Sequence, residues 1–396
     1  FRRVLFRSTI PAESNSPRPS PQKPVATAAA ASVPPAAGGA WPRPRPNIEK
    51  LSAYVPGEQP KIPGLIKLNT NENPYPPSPK AIEAIIAAAN DSLRLYPDPS
   101  CGALSDTIAK AFNLQSDNVF AGNGSDELLA FCFPAFFEPA GRPILFADVT
   151  YSFYPVYAEF FHTPYKLIEV DECLNVPPDG YLQENGGIII ANPNAPTGRG
   201  FSITDIEKIL SHNDESVVIL DEAYIDFGGT SAVGLIGTYP NLLIIRTLSK
   251  SHSLAGLRVG FALGNPELIE GIVRVKDSIN SYTVDRLAQA GACAAIKDEA
   301  YFRETSAKIM KTRRSVAREL ESLGFTVLPS EANFVFITNP EYPARELFSC
   351  LREEGILVRY FDKPKIDNYL RVTIGTDDEM DCFLQGLKKI CKKRNG

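Results

Sequence analysis

Short apolar runs alternate with amphipathic stretches along most of this chain. Residues 80–90 and 105–112 have apolar positions at helical spacing, and a third helix is expected to begin near Asp126. The apolar runs that predict strands are 119–121, 143–147, 165–170, 187–190, 216–220 and 242–245. Strands that alternate with helices favour an α/β fold with a mostly parallel sheet and helices on both of its faces.

The pattern changes near residue 298. A long amphipathic helix is predicted over 301–323, and short strands and helices then alternate up to a basic terminal helix. The proline-rich stretch before the first helix is predicted to be an extended arm. The chain therefore divides into a tail, an arm, a large domain and a smaller C-terminal α/β domain, with predicted bounds of 1–46, 47–78, 79–297 and 298–396.

The first 46 residues differ in composition from the rest of the 396-residue chain. They are rich in Pro, Ala and Ser, and they carry seven basic residues and one acidic residue, Glu13. Such a segment cannot bury enough apolar surface to offset its ordering entropy, so a disordered tail is predicted. Its Arg-bearing, acid-poor composition resembles a transit peptide, and the chain begins with Phe1 rather than Met. We expect a cytoplasmic protein, with a plastid location as the alternative if this segment is a native targeting sequence.

The composition of the remaining residues argues against several classes of function. They hold 34 basic and 45 acidic residues, which does not suggest nucleic-acid binding, and no apolar run is long enough to span a bilayer. The seven cysteines are scattered without a Cys-x-x-Cys pair, which is typical of reduced thiols. The three histidines are too far apart for a plausible zinc site. We therefore expect no metal, no nucleic acid and no membrane partner.

A lysine follows one of the apolar runs of the large domain. Lys250 lies just past the run 242–245, at the carboxyl edge where open α/β sheets bind ligands. A lysine amine in that place can form a Schiff base with an aldehyde cofactor. Thr247, Ser249 and Arg258 could hold an anionic group beside it. The alternative is a surface Ser/Lys loop before a helix, because short motifs carry a risk of false matches.

Other strands deliver polar residues to the same kind of position. Asp221 follows the run 216–220 and is either a helix cap or a charge aimed into the crevice. A carboxylate is what the ring nitrogen of pyridoxal phosphate requires, because the protonated ring accepts electrons from the substrate. The turn 122–125 suits phosphate binding at a helix N-terminus, with a tight turn capped by Ser125 as the alternative. The Asn-Pro-rich loop 192–198 follows a third apolar run in the same way. Three strands that each end in polar residues are unlikely to do so by chance, so a cofactor site is favoured.

An ordered set of motifs extends from about Asn47 to the C-terminus. The motifs are Leu-Asn-Thr-Asn-Glu-Asn-Pro at 68–74, Tyr-Pro-Asp at 96–98, Gly-Asn-Gly-Ser-Asp-Glu at 122–127, the Asn-Pro-rich loop, Asp-Glu-Ala-Tyr at 221–224, the lysine segment 247–260, Ala-Asn-Phe-Val at 332–335 and Tyr-Leu-Arg-Val-Thr-Ile-Gly-Thr at 369–376. In these motifs the chain resembles the pyridoxal-phosphate-dependent aminotransferases of the aspartate aminotransferase fold, and among them it is most similar to the histidinol-phosphate enzymes. The resemblance implies the PLP-dependent transferase fold type I, in which a large domain with a mostly parallel, seven-stranded type of sheet is joined to a smaller α/β domain.

The resemblance implies a role for each residue around the cofactor, pyridoxal 5'-phosphate. Lys250 would bind the cofactor aldehyde and then shuttle the substrate proton, Asp221 would pair with the ring nitrogen, and Tyr224 would hydrogen-bond the phenolic oxygen of the ring. Tyr151 matches the aromatic residue that stacks on the ring. The alternative for Tyr151 is core packing in an aromatic-rich segment.

One position departs from the pattern of the family. Relatives often carry asparagine directly before Pro-Thr-Gly, where its amide contacts the phenolic oxygen, but this chain has Ala195 there. Asn194, one residue earlier, is the candidate substitute, although its side chain need not point the same way. Without it, Tyr224 would carry the contact alone.

The resemblance also indicates how the cofactor phosphate is held. Tyr96 matches a tyrosine that reaches this phosphate from the other subunit, which implies a homodimer with shared active sites. The groups expected to bind the phosphate from the same subunit are the backbone of Ser125 and Asp126, and the side chains of Thr247, Ser249 and Arg258.

Arginines are expected to select the substrate. Arg371 matches the carboxylate clamp of the family, because a planar guanidinium grips a carboxylate with two bonds. Arg359, together with Tyr54 from the arm, would bind a substrate phosphate, and the alternative for Arg359 is an exposed charge at a strand end. Asn71 and Glu72 are expected to line the same entrance.

The activity implied by the resemblance is transfer of an amino group between L-histidinol phosphate and 2-oxoglutarate, with glutamate as the product, in histidine biosynthesis. An aromatic amino acid aminotransferase and a threonine-phosphate decarboxylase are the alternatives on the same fold. A non-catalytic binding protein is the alternative of another class. Retention of Lys250 argues against the last, because a binding module has no need of a proton-shuttling lysine.

Overall fold

The computed structural model describes residues 44–395. The chain divides into two units, 1–49 and 50–396. In the first unit the described part contains a short helix, α1 (Pro46–Glu49). Disorder and targeting were predicted for residues 1–46, and except for the last three positions that segment lies outside the described residues.

The second unit contains three β-sheets within its described residues. Its strands are β1 (Ile66–Lys67), β2 (Val119–Gly122), β3 (Ile144–Ala147), β4 (Tyr165–Ile168), β5 (Ile188–Ala191), β6 (Val218–Asp221), β7 (Leu242–Thr247), β8 (Gly260–Gly264), β9 (Thr326–Val327), β10 (Phe334–Thr338), β11 (Ile356–Leu357), β12 (Arg359–Tyr360) and β13 (Leu370–Thr373).

The largest sheet has seven strands in the order β2-β8-β7-β6-β5-β3-β4. Strands β3 to β7 pair in parallel, and β8 pairs antiparallel with both of its neighbours. The predicted α/β fold with a mostly parallel, seven-stranded sheet is therefore confirmed. Strand β8 was not predicted, because its Gly-Phe-Ala-Leu-Gly run is short and bounded by glycine at both ends.

Helices cover both faces of this sheet. These helices are α2 (Pro79–Ala88), α3 (Gly102–Phe112), α4 (Gly124–Phe136), α5 (Phe153–Phe160), α6 (Ile203–His212), α7 (Pro266–Ile279) and α8 (Arg286–Lys297). The helices that follow in the chain are α9 (Glu299–Ser322), α10 (Ala344–Glu353) and α11 (Asp377–Asn395). Leu220 and Ile244 pack in the cluster that contains α3, α6 and α8. Ile219 and Ile245 pack in the cluster that contains α4, α5 and α7. Because successive strand residues face opposite sides, a sheet covered on both faces needs continuous apolar runs, and this explains the pattern in the sequence.

The smaller sheet beyond residue 298 is antiparallel, in the order β12-β13-β10-β9. Apolar residues of α9, α10 and α11 form one buried cluster with this sheet. The arm is attached to it through β1, which pairs in parallel with β11. This arrangement places the arm and the strand that begins with Arg359 beside each other. The domain bounds 47–78, 79–297 and 298–396 remain predictions.

Helix α4 begins two residues before its predicted start. Its first residue is Gly124, which has a positive φ of 81°, and the preceding cap position is Asn123. Ser125 lies in the first turn of the helix, so the alternative of a turn capped by Ser125 is wrong. The first backbone N–H groups of α4 consequently have no acceptor within the helix and are available to a ligand.

The described residues contain no helix that is long and apolar enough to cross a membrane. Residues 44–395 also contain no group of three or more His, Cys, Asp or Glu side chains arranged to hold a metal ion. All seven cysteines are free thiols.

Candidate active site

One pocket lies at the carboxyl ends of β5, β6 and β7, where polar residues follow the buried strands. The large sheet, the arm and strands β12 and β13 all contribute to its walls. The predicted site residues that line it are Tyr54, Asn71, Ser125, Asp126, Tyr151, Asp221, Tyr224, Thr247, Ser249, Lys250, Arg258, Arg359 and Arg371. The structure therefore brings together the predicted site residues except Asn194, Tyr96 and Glu72. Glu72 was expected at the entrance, but it does not line the pocket and instead forms an ion pair with Lys67.

Asp221 is the last residue of β6 and is buried at the floor of the pocket. The hydroxyl of Tyr154 donates to one carboxylate oxygen over 2.9 Å, and the N–H of Ala223 donates to the other over 3.2 Å. Burial raises the pKa of the Asp221 carboxyl to about 6. Within residues 44–395 no cation forms an ion pair with it, so this carboxylate is oriented by neutral donors, and the nearby Lys250 amine offsets only part of the effect of burial.

Lys250 follows the last strand residue of β7 by three positions. Its amine donates to the carbonyl of Thr70 over 3.2 Å and lies 5.7 Å from the ring centroid of Tyr224. The side-chain amide of Asn73 donates to the Lys250 carbonyl over 2.9 Å. The arm thus holds both the backbone and the amine of the lysine. The role of Asn73 was not predicted from the sequence, because its partner is 177 positions away.

A buried network of charged side chains contacts the segment that follows Lys250. The hydroxyl of Ser251 donates to Asp226 over 2.6 Å, and Asp226 is paired with Arg246. Arg246 also lies 3.8 Å from Glu222. Although burial alone would raise the pKa of the Asp226 carboxyl, Arg246 and the other neighbours lower it. His252 stacks on a phenylalanine ring outside the pocket, and burial lowers its pKa to about 4, so it is neutral at pH 7.

A cradle for an anion lies at the N-terminus of α4. Arg258 donates to the hydroxyl of Ser249 over 3.3 Å and to the carboxylate of Asp126 over 3.4 Å. A Cβ atom on Gly124 would lie only 2.6 Å from the guanidinium of Arg258, so glycine is what allows this close approach. Thr247 lies at the end of β7 beside them and accepts from the N–H of Ser249 over 3.1 Å. A helix N-terminus, a guanidinium and two hydroxyls are together suited to a phosphate group.

Aromatic side chains form one wall of the pocket. The hydroxyl of Tyr151 donates to Asp126 over 2.9 Å, and burial raises its pKa. Tyr54 from the arm stacks on Phe153 with ring centroids 4.2 Å apart, and its ring lies 6.1 Å from that of Tyr151. Tyr151 is therefore fixed at both its hydroxyl and its ring, with one side facing the pocket.

Two arginines form another part of the pocket wall. Arg359 on β12 and Arg371 on β13 are directly paired in the strand register. One nitrogen of Arg371 donates to the carbonyl of Asn69 over 3.0 Å, but its Nε is buried without a partner. Burial lowers the pKa of the Arg371 guanidinium. Both guanidinium groups lie 5.5 Å from the ring of Phe361, and neither forms an ion pair with any of residues 44–395.

Asn194 does not reach the pocket. Its amide nitrogen donates to the carbonyl of Val149 over 2.8 Å and to Thr197 over 3.1 Å, and its oxygen accepts from Thr150 over 2.7 Å. The side chain is 1% exposed, so it fixes the Asn-Pro-rich loop from within. Ala195 is the residue that faces the pocket at this place.

Tyr96 is also absent from the pocket of its own chain. It is 76% exposed and stacks on Tyr282 with ring centroids 4.5 Å apart. Asn71, by contrast, lines the pocket, but its amide donates to the hydroxyl of Tyr224 over 2.9 Å. Neither this contact nor that of Tyr154 with Asp221 was predicted from the sequence. The aromatic segment 150–154 was the available signal for Tyr154.

Comparison with known proteins places the chain in a family. The model of aminotransferase class I and II matches residues 63–387, so the chain belongs to that family. The histidinol-phosphate aminotransferase of Clostridium acetobutylicum is 56% identical over 343 residues, which cover 87% of this chain and 97% of that protein. The enzyme of the same name from Clostridium botulinum is 54% identical over 348 residues, covering 88% and 98%.

A solved structure extends the comparison to three dimensions. The histidinol-phosphate aminotransferase of Sinorhizobium meliloti, in complex with pyridoxal-5'-phosphate, matches with a TM-score of 0.80 and 25% sequence identity. The match covers 89% of this chain and 99% of that one. The family predicted from the ordered motifs is therefore confirmed.

Proposed function

We propose that this protein is a pyridoxal-phosphate-dependent enzyme that moves an amino group between L-histidinol phosphate and 2-oxoglutarate. One observation carries the choice of substrate: Arg359 and Arg371 face the pocket of Lys250 and form no ion pair within residues 44–395. A cation removed from water needs an anionic partner, so this wall is suited to a substrate that carries a phosphate or a carboxylate. The two Clostridium relatives carry the name of this activity.

The residues of the pocket fit pyridoxal phosphate. Asp221 is a buried carboxylate with a raised pKa and no cationic partner within residues 44–395, and a protonated ring nitrogen would supply that partner. Arg258, Ser249 and the N-terminus of α4 form an anion cradle for the cofactor phosphate. When bound, the cofactor supplies an aldehyde that attaches an amine and a ring that takes up the electrons released at the substrate carbon.

Each side chain around the cofactor position has a separate role. Lys250 holds and returns the proton at the substrate carbon through its amine, which the Thr70 carbonyl keeps near the arm. Asp221, at the floor of the pocket, would pair with the protonated ring nitrogen of the cofactor. Tyr224 would donate a hydrogen bond to the phenolic oxygen of the cofactor, and Tyr151 would form the wall beside the cofactor ring.

The part of the wall formed by Arg359 and Arg371 orients the substrate. Arg371 binds a carboxylate, as in glutamate, and Arg359 with Tyr54 binds the phosphate of histidinol phosphate. The same pair of cations accommodates either anion in turn, which is what a reaction with two different amino donors requires. We call the part of the pocket around Asp221 and Tyr224 the ring end, and the part around Arg359 and Arg371 the substrate end. Asn71 acts at the ring end, where it contacts Tyr224, rather than on the substrate.

A homodimer completes the site in this proposal. Tyr96 stacks on Tyr282, and both rings are exposed, as are Leu93 and Leu95 close by in the sequence. Exposed apolar side chains grouped in this way favour an interface. Tyr96 would reach the phosphate cradle of the partner subunit. The change Tyr96→Phe should then weaken cofactor binding about tenfold without altering the dimer, as measured by cofactor titration and light scattering. We also infer a cytoplasmic location, which the seven free thiols support.

Rapid mixing of the cofactor-loaded protein with candidate amines tests the proposed function. L-Histidinol phosphate should change the cofactor absorbance orders of magnitude faster than phenylalanine, tyrosine or phosphothreonine. An equal or faster change with the aromatic amino acids would move the function to aromatic transamination. Release of carbon dioxide from phosphothreonine would move it to decarboxylation. Turnover that survives Lys250→Ala would contradict an aminotransferase of any kind.

A further inference from the structure

The side-chain amide of Asn71 is held in one orientation by its neighbours. The main-chain N–H of Asn71 donates to the hydroxyl of Thr373 over 3.0 Å, and that hydroxyl donates back to Asn71 Oδ1 over 3.0 Å. Asn333 donates to the Asn71 carbonyl over 3.0 Å. Because Oδ1 receives the single proton of the Thr373 hydroxyl, the Nδ2 group must point the other way. The orientation of the amide is therefore set by its partners.

The Nδ2 group of Asn71 donates to the phenolic oxygen of Tyr224 over 2.9 Å. An amide NH₂ group is a donor only, so the oxygen of Tyr224 is the acceptor in this bond. The proton of the Tyr224 hydroxyl is left for another acceptor, and among the described residues it donates to none. Tyr224 lines the pocket, so that proton is available to a ligand there.

We propose that Asn71 is a positioning residue that directs the hydroxyl proton of Tyr224 into the pocket. The inference rests on the proposed function, since the acceptor it serves is the phenolic oxygen of the bound cofactor. The contact matters more in this chain because Ala195 presents no amide to the pocket and the amide of Asn194 is used elsewhere. The donation by Tyr224 then has no nearby substitute among the residues of that loop.

The backbone at Asn71 explains why this residue type is needed. Asn71 has a φ of 57°, in the left-handed region, and is 1% exposed. Asparagine tolerates this conformation better than most residues. Glycine would adopt it without strain but has no amide, and aspartate would accept a proton from Tyr224 rather than donate one. Asparagine alone among these three provides a donor.

The same amide links three parts of the fold. Asn71 belongs to the arm, Thr373 ends β13 of the smaller sheet, and Tyr224 lies three residues after β6 of the large sheet. Any displacement of the arm from the smaller sheet would release the amide. The donor direction of Tyr224 is therefore coupled to the packing of the arm on the smaller sheet.

The pH midpoint of the cofactor absorbance change in the resting, substrate-free protein tests this proposal. A hydrogen bond donated to the phenolic oxygen favours the deprotonated, more anionic form of the bound cofactor, so its loss raises the midpoint. Asn71→Gly, which keeps the left-handed backbone, should raise the midpoint by about one pH unit. Tyr224→Phe should raise it at least as much. The double variant should shift no further than Tyr224→Phe alone, because Asn71 acts through Tyr224.

Two further variants separate positioning from a general structural effect. Asn113→Gly changes an exposed asparagine of similar backbone conformation (φ 55°) at the end of α3, and the midpoint should not move. Thr373→Val removes the hydroxyl that orients the amide, so a smaller upward shift is expected. If Asn71→Gly does not fold, Thr373→Val carries the test alone.

An unchanged midpoint in Asn71→Gly alongside a shift in Tyr224→Phe would overturn the positioning role, and so would an additive shift in the double variant. With Asn71→Gly unfolded, an unchanged midpoint in Thr373→Val would do the same. A wild-type protein without a pH-dependent cofactor band would instead overturn the proposed function, and this inference with it.

Discussion

The two ends of the pocket are built in opposite ways. At the ring end, Asp221 receives hydrogen bonds from Tyr154 and Ala223, and Tyr224 receives one from Asn71. The protein itself supplies these partners, so the geometry is set before any ligand binds. At the substrate end, Arg359 and Arg371 lie side by side on the paired strands β12 and β13 and form no ion pair within residues 44–395.

This difference indicates what each end does. Groups that must keep one orientation through a reaction cycle are best held by neighbours that are themselves fixed. Groups that must exchange one anion for another are best left without an internal partner, because a protein carboxylate would compete with the substrate. The ring end is therefore preorganised, whereas the substrate end is completed by its ligand.

Loss of Lys250 should have the largest effect. The amine is the group that moves the substrate proton, so Lys250→Ala should lower turnover by about 10⁴-fold or more. Lys250→Arg is the control, because it keeps the positive charge without a usable amine and should be equally inactive. Steady-state rates with L-histidinol phosphate and 2-oxoglutarate measure both variants. Appreciable turnover in either would contradict the role of the lysine.

Removal of the charge at Asp221 should separate activity from stability. Asp221→Asn should lower turnover by about 10²- to 10³-fold, because the charge that supports the ring is lost. Burial raises the pKa of this carboxyl from its ordinary value of 3.8 to about 6. The folded cofactor-free protein thus binds this proton more tightly than the unfolded chain does, and the free energy of unfolding falls as the pH rises from about 4 to about 6.

The cofactor-free Asp221→Asn protein should consequently be more stable than the wild type at pH 7, by about 1–2 kcal/mol, and the gain should vanish below about pH 4. Denaturant unfolding at several pH values measures this. Asp226→Asn is the matched control, since Asp226 is a buried aspartate whose pKa is lowered by its pairing with Arg246, and its loss should destabilise the protein at pH 7. A destabilised Asp221→Asn at pH 7 would contradict the account of the ring end.

Changes at the substrate end should depend on the anion. Arg359→Ala should lower kcat/KM for histidinol phosphate by about 10- to 100-fold, because the charge-assisted hydrogen bonds to the phosphate are lost. Glutamate has no phosphate, so its kcat/KM should fall less. Arg371→Ala should lower kcat/KM for both substrates. Arg352→Ala is the control, because Arg352 pairs with Glu58 at the exposed surface and should change neither. Equal losses for both substrates in Arg359→Ala would argue against a phosphate site.

Addition of an amide at the ring end should have the smallest effect. Ala195→Asn offers the phenolic oxygen a second donor, which favours the deprotonated form of the bound cofactor. The pH midpoint of the cofactor absorbance should fall by less than about one pH unit, with turnover changed by less than about tenfold. A midpoint that rises or does not move would show that residue 195 does not face the phenolic oxygen.

The fold was largely predictable because its signals are local. The buried strands 218–221 and 242–247 lie between helices on both faces, and their apolar runs 218–220 and 242–245 are continuous, so each strand is visible within a few residues. Lys250 and Asp221 were found for the same reason, since each stands at the end of such a run. Strand β8 was missed because flanking glycines shorten its apolar run.

The contacts that orient the site were not predictable, because they join distant parts of the chain. Asp221 and Tyr154 are 67 positions apart, and Asn71 and Thr373 are 302 positions apart. No periodicity connects such pairs. Asn194 shows the converse limit, because it lies beside the pocket in sequence while its side chain is satisfied by Val149, Thr150 and Thr197 behind the lining.

The central claim is that Arg359, which lines the pocket and forms no ion pair within residues 44–395, binds the phosphate of the substrate. Its most direct test compares L-histidinol phosphate with L-histidinol, which differs only in lacking the phosphate, in single-turnover reactions with the cofactor-loaded wild-type protein. The account predicts that histidinol reacts at least about 100-fold less efficiently, and that Arg359→Ala removes most of this difference. Equal efficiency of the two amines in the wild-type protein would contradict the claim.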